Sequence, residues 1–428
     1  MLLPSQFQSL PQPANGRVAL AVVFALASMA LWLDPVIPQL FGSGKGHDYP
    51  QWFATGERLL HDGPVYIVEP NGQSDFLYTP LAALLLAIPS YFGRSASVVI
   101  LASVILATWW IAIWLARRLV DDGKPVSPWI ASLPVAVTVP FVFDQFHNGQ
   151  PNLFLLALML GGFCLLSAQR EWLAGLPFAT AAAIKVFPVL IFPYLLWRRY
   201  WRTAASMAAF MIVLLVLVPG SIRGFQRNFD ELSFWVHSML LSTNDTEFAQ
   251  RVKHWGWKNQ SLYAVEHRLL SPINAELEAV PPVRPVYVNL LNLNRHQADL
   301  VFVVTELAVG LGFMALLPAR RRRTPRSDAA EWSIVLLLIV LASLVAYSYY
   351  FVWLLLPYTV LVQRAATEPD RKVARRTAIM IGVSLLLLAI GIDGIEPRYS
   401  QAAGNFLWAA AVVIAALAVE MRRSARAA

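Results

Sequence analysis

Charge is scarce in this chain. Asp, Glu, Lys and Arg make up 14% of its 428 residues, against the ~25% usual in a soluble protein. That excludes an ordinary water-soluble domain with a charged surface. Cysteine is nearly absent as well. Cys164 stands alone inside an apolar run, so neither an internal disulfide nor a zinc spacing is available, and it reads as a small buried hydrophobe. No HExxH or comparable ligand spacing occurs, and neither a bound metal nor a cofactor is predicted. What is abundant is apolar surface: 57% of the residues are hydrophobic and the mean hydropathy is +0.54. A bilayer organises such a chain, so its length counts spans rather than globular domains. Residues 1–428 read as a single integral membrane unit.

The formal net charge is +8. In a soluble protein this would raise nucleic acid as a partner. Here the basic residues fall in short loops between apolar runs: Arg117 and Arg118, Arg198 to Arg202, Arg320 to Arg323, Lys372 to Arg376, and Arg422 to Arg426. That placement marks topology by the positive-inside rule. No basic groove interleaved with aromatics accompanies it, so no nucleic-acid partner is predicted. Residues 18–33 contain a small-residue Ala-Leu-Ala that imitates a cleavage site, but only Arg17 precedes them. They read as a retained first span.

Apolar runs lie near 18–36, 79–92, 95–116, 127–143, 152–168, 172–197, 203–219, 299–317, 331–363, 377–392 and 404–420. Residues 79–92 are short of the ~20 needed for a span. Residues 172–197 form one long span or two short ones broken at Ile184-Lys185-Val186-Phe187-Pro188. Placing 79–92 in an outer loop and breaking 172–197 puts Arg117, Arg118, Lys124 and Arg170 on one side with the other basic clusters, which loop charge favours. Residues 331–363 split at Tyr347-Ser348-Tyr349-Tyr350. The expectation is an all-α polytopic protein of the cytoplasmic (inner) membrane, with about twelve spans and both termini inside. Its outer face carries residues 37–94 and 220–298, together with 145–152, the break at Lys185, Tyr347 to Tyr350, and 393–404. No solenoid or inverted repeat stands out.

The stretch GHDYPQWFATGERLLHDG, residues 46–63, follows the first apolar run. Pro50 suits a helix start, and Trp52, Phe53, Gly56, Leu59 and Leu60 share a face. An amphipathic helix in the interface is predicted, with Tyr49, Trp52 and Phe53 as headgroup-level anchors. Asp48 then precedes the helix. It is either an N-cap, with Gln51 at the capping-box position, or a general base for an acceptor hydroxyl. His47 beside it is a hydrogen-bond partner or an exposed loop residue.

Further motifs follow in order: His61-Asp62-Gly63-Pro64-Val65-Tyr66, Phe76-Leu77-Tyr78-Thr79-Pro80, His147-Asn148-Gly149-Gln150-Pro151-Asn152, Trp172-Leu173-Ala174-Gly175-Leu176, Ile184-Lys185-Val186-Phe187-Pro188 and Asn259-Gln260-Ser261-Leu262. From about residue 46 to about residue 360, this ordered set resembles the bacterial polyprenol-phosphate-mannose-dependent mannosyltransferases of the GT-C superfamily. The resemblance implies a GT-C-type fold and an active site on the outer face. It also implies a polyprenyl-phosphate sugar donor, a lipid or glycan acceptor, and inverting transfer of a hexose such as mannose. The family's functional acid lies in a first-loop motif matching Asp48-Tyr49, so Asp48 is the implied base.

The residue chemistry agrees. Sugar transfer needs a base for the nucleophile and donors for the departing phosphate. Lys185, an ammonium in an apolar run, is a candidate for that phosphate or a structural, snorkelling lysine. Asn148, Gln150 and Asn152 hydrogen-bond sugar hydroxyls or cap the next helix, and Asn259, Gln260 and Ser261 do likewise. Arg268, after His267, meets an anionic group. Where the family's pattern has a His pair, this chain has Tyr349 and Tyr350. These can donate to phosphate or stack on a sugar but cannot act as imidazolium. The long segment 220–298 is the expected place of acceptor choice.

The competing reading is a lipid or sugar transporter or flippase, for which the Lys185 break is the best support. Gly42-Ser43-Gly44-Lys45-Gly46 lacks P-loop spacing and reads as an interfacial turn. Gly310-Leu311-Gly312 lies within a span and reads as close helix packing. Asp34, Asp144, Asp299, Glu306 and Asp393 sit near span ends, Glu306 deepest.

Overall fold

In the computed structural model, residues 14–40, 48–67, 76–238, 255–276, 284–391 and 397–426 are described. They form helices and short 3-10 or π turns, with no strand among them. Among the described residues, seven helices are long and apolar enough to cross a membrane, including Val18–Pro38, Arg94–Val120, Pro128–Asn148 and Arg295–Leu316. The protein is a multi-pass, all-α membrane protein.

The other predicted spans are shorter rods, and the reason is local. Residues 172–197 are broken where expected. Helix α7 (Glu171–Ile184) ends at Lys185, whose backbone is extended (φ −139, ψ 129). A 3-10 turn at Phe187–Leu190 and the helix Ile191–Trp197 then lead back. Residues 331–363 behave alike: the helix Pro325–Leu341 stops, and a 3-10 turn at Ser348–Leu354 precedes the helix Leu355–Thr367. Non-helical backbone at such depth is tolerated where protein, not lipid, surrounds it. Both breaks meet at one site.

The run 79–92 gives helix α3 (Pro80–Ser90), 11 residues long or about 16 Å, roughly half the hydrocarbon thickness. It packs on helix α2 (Tyr49–Leu60). A Cβ on Gly56 would lie 2.5 Å from the Leu86 carbonyl oxygen, so only glycine admits this approach. Ser90 Oγ donates to the Phe53 carbonyl at 3.3 Å. The buried face of α2 is Tyr49, Trp52, Thr55, Gly56 and Leu59. Leu60 is exposed and Phe53 only half-buried, so the buried stripe is narrower than the sequence pattern implied.

Within the segment 220–298, the helix Phe225–Val236 roofs the loop after α2. Arg227 holds the Asp62 carboxylate at 2.5 Å, Glu231 accepts from Val65 N at 3.4 Å, and Trp235 Nε1 donates to the Leu77 carbonyl at 3.1 Å. At the opposite end of the bundle, buried ion pairs tie the rods together. Arg198 Nε and Tyr194 Oη donate to Glu331 Oε1 at 2.6 and 2.5 Å, and Arg364 Nε lies 2.8 Å from Glu420.

Gly310 and Gly312 correct an expectation. A Cβ on either would meet nothing within 4 Å, because their helix Arg295–Leu316 lies on the outside of the bundle. Close helix packing does not explain them. Glu306, on the same helix, lines an apolar cavity of about 610 Å³ together with Glu266 and Thr305.

Candidate active site

The side chain of Asp48 does not cap. Its backbone is at φ −109, ψ −13, and it makes no side-chain cap hydrogen bond, so, of the two readings of Asp48, the capping box is not formed. Two causes are visible. The N-cap bond needs an extended residue facing the amides of N2 or N3; here ψ is helical, and N2 is Pro50, which has no N–H. The carboxylate turns instead to Gln150, whose Nε2 donates to Asp48 Oδ2.

Gln150 is delivered by the turn between α5 (Pro128–Asn148) and α6 (Asn152–Ser167). Gly149 caps α5 at φ +66, a conformation glycine adopts freely. A Cβ there would lie 3.2 Å from the Tyr49 ring. Tyr49 Oη donates to the Phe146 carbonyl at 2.8 Å, and Trp52 Nε1 to the Gly149 carbonyl at 3.0 Å. Tyr49 and Trp52 are 1% and 6% exposed. They are therefore not headgroup-level anchors: their polar tips fasten α2 to this turn.

Lys185 completes the site. Thr79 Oγ1 donates to the Ala183 carbonyl at 2.5 Å, holding the end of α7 against the start of α3. Lys185 Nζ lies 3.4 Å from both Gln150 Oε1 and Asn152 Oδ1. Aromatic rings surround it, with Nζ 4.4 Å from the Tyr350 centroid, 5.3 Å from Tyr78, 5.8 Å from Tyr349 and 5.9 Å from Phe187. Ring faces attract a cation at such distances, more strongly when water is excluded. Tyr78 Oη also donates to Gln150 Oε1, at 3.0 Å. One amide thus links the Asp48 carboxylate on one side to the Lys185 ammonium on the other.

The tyrosines in place of the His pair are walls of this cage. Gln145 fixes them by donating from Nε2 to the Tyr349 carbonyl, while its Oε1 accepts from Asn152 N at 3.1 Å. Trp353 Nε1 donates to the Asn152 carbonyl at 3.1 Å. Tyr78 and Gln145 were not among the predicted site residues. Tyr78 stood in a quoted motif, but only the fold brings it to Lys185. Two further contacts lie at this end, His147 Nδ1 to Asp34 Oδ2 at 3.2 Å and Ser348 Oγ donating to Asp144 Oδ2.

Other predicted site residues are placed differently. Asn148 Nδ2 donates to the Asp144 carbonyl of its own helix at 2.8 Å. Asn259, Gln260 and Ser261 are fully buried and bound to main chain. Asn259 donates to the Leu344 carbonyl at 3.0 Å and accepts from Ser261 N at 3.1 Å and Ala346 N at 2.9 Å. Gln260 Nε2 reaches the Trp257 and Gln401 carbonyls at 2.8 and 2.7 Å, and Ser261 Oγ caps the helix Leu262–Leu270. Arg268 is fully buried and donates to the carbonyls of Ala402, Trp255, Gly256 and Gln401, so it is not open to an anionic ligand. His47, Asp393 and Gly42 to Gly46 lie outside the described residues.

This geometry makes Asn259 a structural clasp. Asn259→Ala orphans two buried amides, those of Ser261 and Ala346, while the Leu344 carbonyl keeps Ser261 Oγ, and is expected to cost about 2–4 kcal/mol of stability. Thermal unfolding checks the loss, and turnover of the surviving folded fraction is expected to stay within about threefold of the parent.

Fold and site together define a polytopic helical membrane protein with a carboxylate–amide–ammonium cluster at one end of its bundle. The chain belongs to glycosyltransferase family 87, whose model matches residues 76–348. That stretch holds Tyr78, Gln150, Asn152 and Lys185, while Asp48 precedes it. Two curated relatives, from Mycobacterium tuberculosis (strain ATCC 25618 / H37Rv) and Mycolicibacterium smegmatis (strain ATCC 700084 / mc(2)155), are polyprenol-phosphate-mannose-dependent alpha-(1-2)-phosphatidylinositol mannoside mannosyltransferases. Each is 26% identical to this chain, over 197 and 202 residues respectively. The matches cover 42% and 43% of this chain and 44% and 43% of the relatives. Less than half the length of the curated relatives is thus matched. No solved structure matches the chain.

Proposed function

We propose that this protein transfers a hexose, mannose in the first instance, from a polyprenyl-phosphate donor to a lipid or glycan acceptor. The observation that carries this is the Gln150 bridge, which sets a carboxylate and an ammonium on either side of one amide. In the reaction the acceptor oxygen attacks the anomeric carbon from the face opposite the phosphate, inverting it. Its proton passes to Asp48. The bond from the anomeric carbon to the phosphate oxygen breaks, and polyprenyl phosphate departs with the electron pair. Lys185 meets the negative charge that develops there, where an excluded-water setting makes it most effective. Gln150 keeps Asp48 and Lys185 from collapsing into a direct pair. The site opens on the outer face of the cytoplasmic membrane, a reading supported by basic loops at the opposite ends of the helices. The segment 220–298, whose helix Phe225–Val236 covers the loop after α2, is where the acceptor is chosen.

Transfer of label to envelope lipid extract tests this. The purified chain is given polyprenyl-phosphate mannose, polyprenyl-phosphate glucose or a nucleotide sugar. Transfer from a polyprenyl-phosphate sugar alone, with an inverted anomeric linkage, is the expected result. Transfer from the nucleotide sugar would overturn the donor assignment. Movement of intact donor across vesicles without transfer would instead support the flippase reading.

A further inference from the structure

The bundle has a second concave feature at the end away from Asp48. Helix α4 (Arg94–Val120) is 27 residues long, about 40 Å, so its last turn lies a membrane thickness from the site above. Between that turn, the start of α5 and the helix Leu355–Thr367 is a cavity of about 420 Å³, lined by Trp114, Arg117, Arg118, Lys124 and Gln363. Val120, Val126, Pro134 and Val362 give it an apolar floor. Arg117, Arg118 and Lys124 are exposed. Arg118 lies over the Trp114 ring, its Cζ 5.5 Å from the centroid. Arg117 Nη2 reaches only the Ala131 carbonyl, at 3.4 Å.

The charge in this trough is unbalanced. Among the described residues, none of the three cations has a carboxylate within 4.0 Å. The one acid in the wall, Asp121, accepts from Gly123 N at 3.0 Å in its own turn. Asp122 is already engaged, by Arg326 at 2.8 Å, Gln363 at 3.1 Å and the Lys124 main-chain N at 3.2 Å. The basic side chains packed inward at this end do hold carboxylates: Arg198 that of Glu331, Arg323 that of Asp328 and Arg364 that of Glu420. What sets the three open cations apart from other exposed ones is that they gather around one concave, apolar floor. Trp114, 58% exposed, borders it as an indole does at headgroup level.

We propose that this trough binds the phosphate of an anionic phospholipid whose chains remain in the bilayer beside Trp114. The guanidiniums of Arg117 and Arg118 offer forked donors to phosphate oxygens, and Lys124 adds a point charge from the loop. Basic pockets between helices at a membrane surface select anionic headgroups by this chemistry. The bound lipid would clamp α4 and the loop after it to the helix Leu355–Thr367. This site is independent of the sugar-transfer reading and of its residues.

The test uses the full chain, delipidated in neutral detergent and titrated with dioleoylphosphatidylglycerol or dioleoylphosphatidylcholine. Bound lipid is counted by native mass spectrometry and thermal unfolding is followed in parallel. The parent is expected to bind one phosphatidylglycerol at least about tenfold more tightly than phosphatidylcholine and to melt higher with it. Arg117→Gln/Arg118→Gln/Lys124→Gln is expected to lose the preference, and the single change Arg118→Glu to weaken it severalfold should the triple variant not fold. Arg371→Gln/Lys372→Gln/Arg375→Gln, neutral at three exposed cations of the same face, is expected to keep it. Equal binding of the two lipids, or equal loss in both triple variants, would overturn the proposal. So would displacement of the lipid by millimolar inorganic phosphate, which would make this a soluble-anion site.

Discussion

Asp48→Asn is expected to lower sugar transfer by at least about a hundredfold while leaving the fold intact. The structure separates the two roles a carboxylate at a helix start can have. Asp48 makes no cap bond, so no capping energy is lost with its charge. Asparagine still presents an oxygen to Gln150 Nε2, the donor that Asp48 Oδ2 now accepts from, and the bridge to Lys185 survives. What disappears is the capacity to take the acceptor proton, together with the negative charge across Gln150 from Lys185. Melting temperature should therefore stay within about 2 °C of the parent. The loss should fall on kcat and on kcat/KM alike, as for a group acting in the transition state. A folded variant that transfers at the parental rate would move the base elsewhere. Asp34, paired with His147, and Asp144, bonded to Ser348, are the next carboxylates at this end.

How much of this was legible beforehand differs by element. Helix breaks were, because they are written locally. Lys185 and Pro188 interrupt one apolar run and a polar, aromatic patch interrupts another, and the helices end there. The shortness of α3 was legible too, since length alone decides whether a rod reaches across. The partners of polar side chains were not. Tyr49 and Trp52 bond to carbonyls 97 residues away, and nothing near them distinguishes such a bond from a place among headgroups. The Asn259-Gln260-Ser261 motif looked like sugar chemistry because amides and hydroxyls serve main chain and sugar equally. Only the fold, by bringing Leu344, Ala346 and Gln401 against it, closes that option. Tyr78 was missed for the complementary reason: a tyrosine in a loop motif carries no sign that an ammonium will face it.

The second large effect concerns Lys185, whose removal should cost activity far more than stability. An ammonium held among rings and two amide oxygens at 3.4 Å is expensive to keep, because desolvation exceeds what such contacts return. Lys185→Met has nearly the same length and suits the apolar walls, but it leaves the buried Asn152 Oδ1 without its donor, so the two effects offset and the protein should stay about as stable as the parent. Transfer, in contrast, should fall by about a hundredfold or more, the usual effect of removing a donor from the place where charge develops. Lys185→Arg should not rescue it. The guanidinium is planar and broad, and the cage of Tyr78, Tyr349, Tyr350 and Phe187 closes to 4.4 Å on a compact cation. Donor saturation then locates the effect. A lower kcat with little change in KM means that Lys185 acts on the departing phosphate, whereas a raised KM alone means that it only holds the ground-state donor. Parental turnover in a folded Lys185→Met would reduce the ammonium to a plug between two broken helices. The site would then be left with a base and no charge for its leaving group.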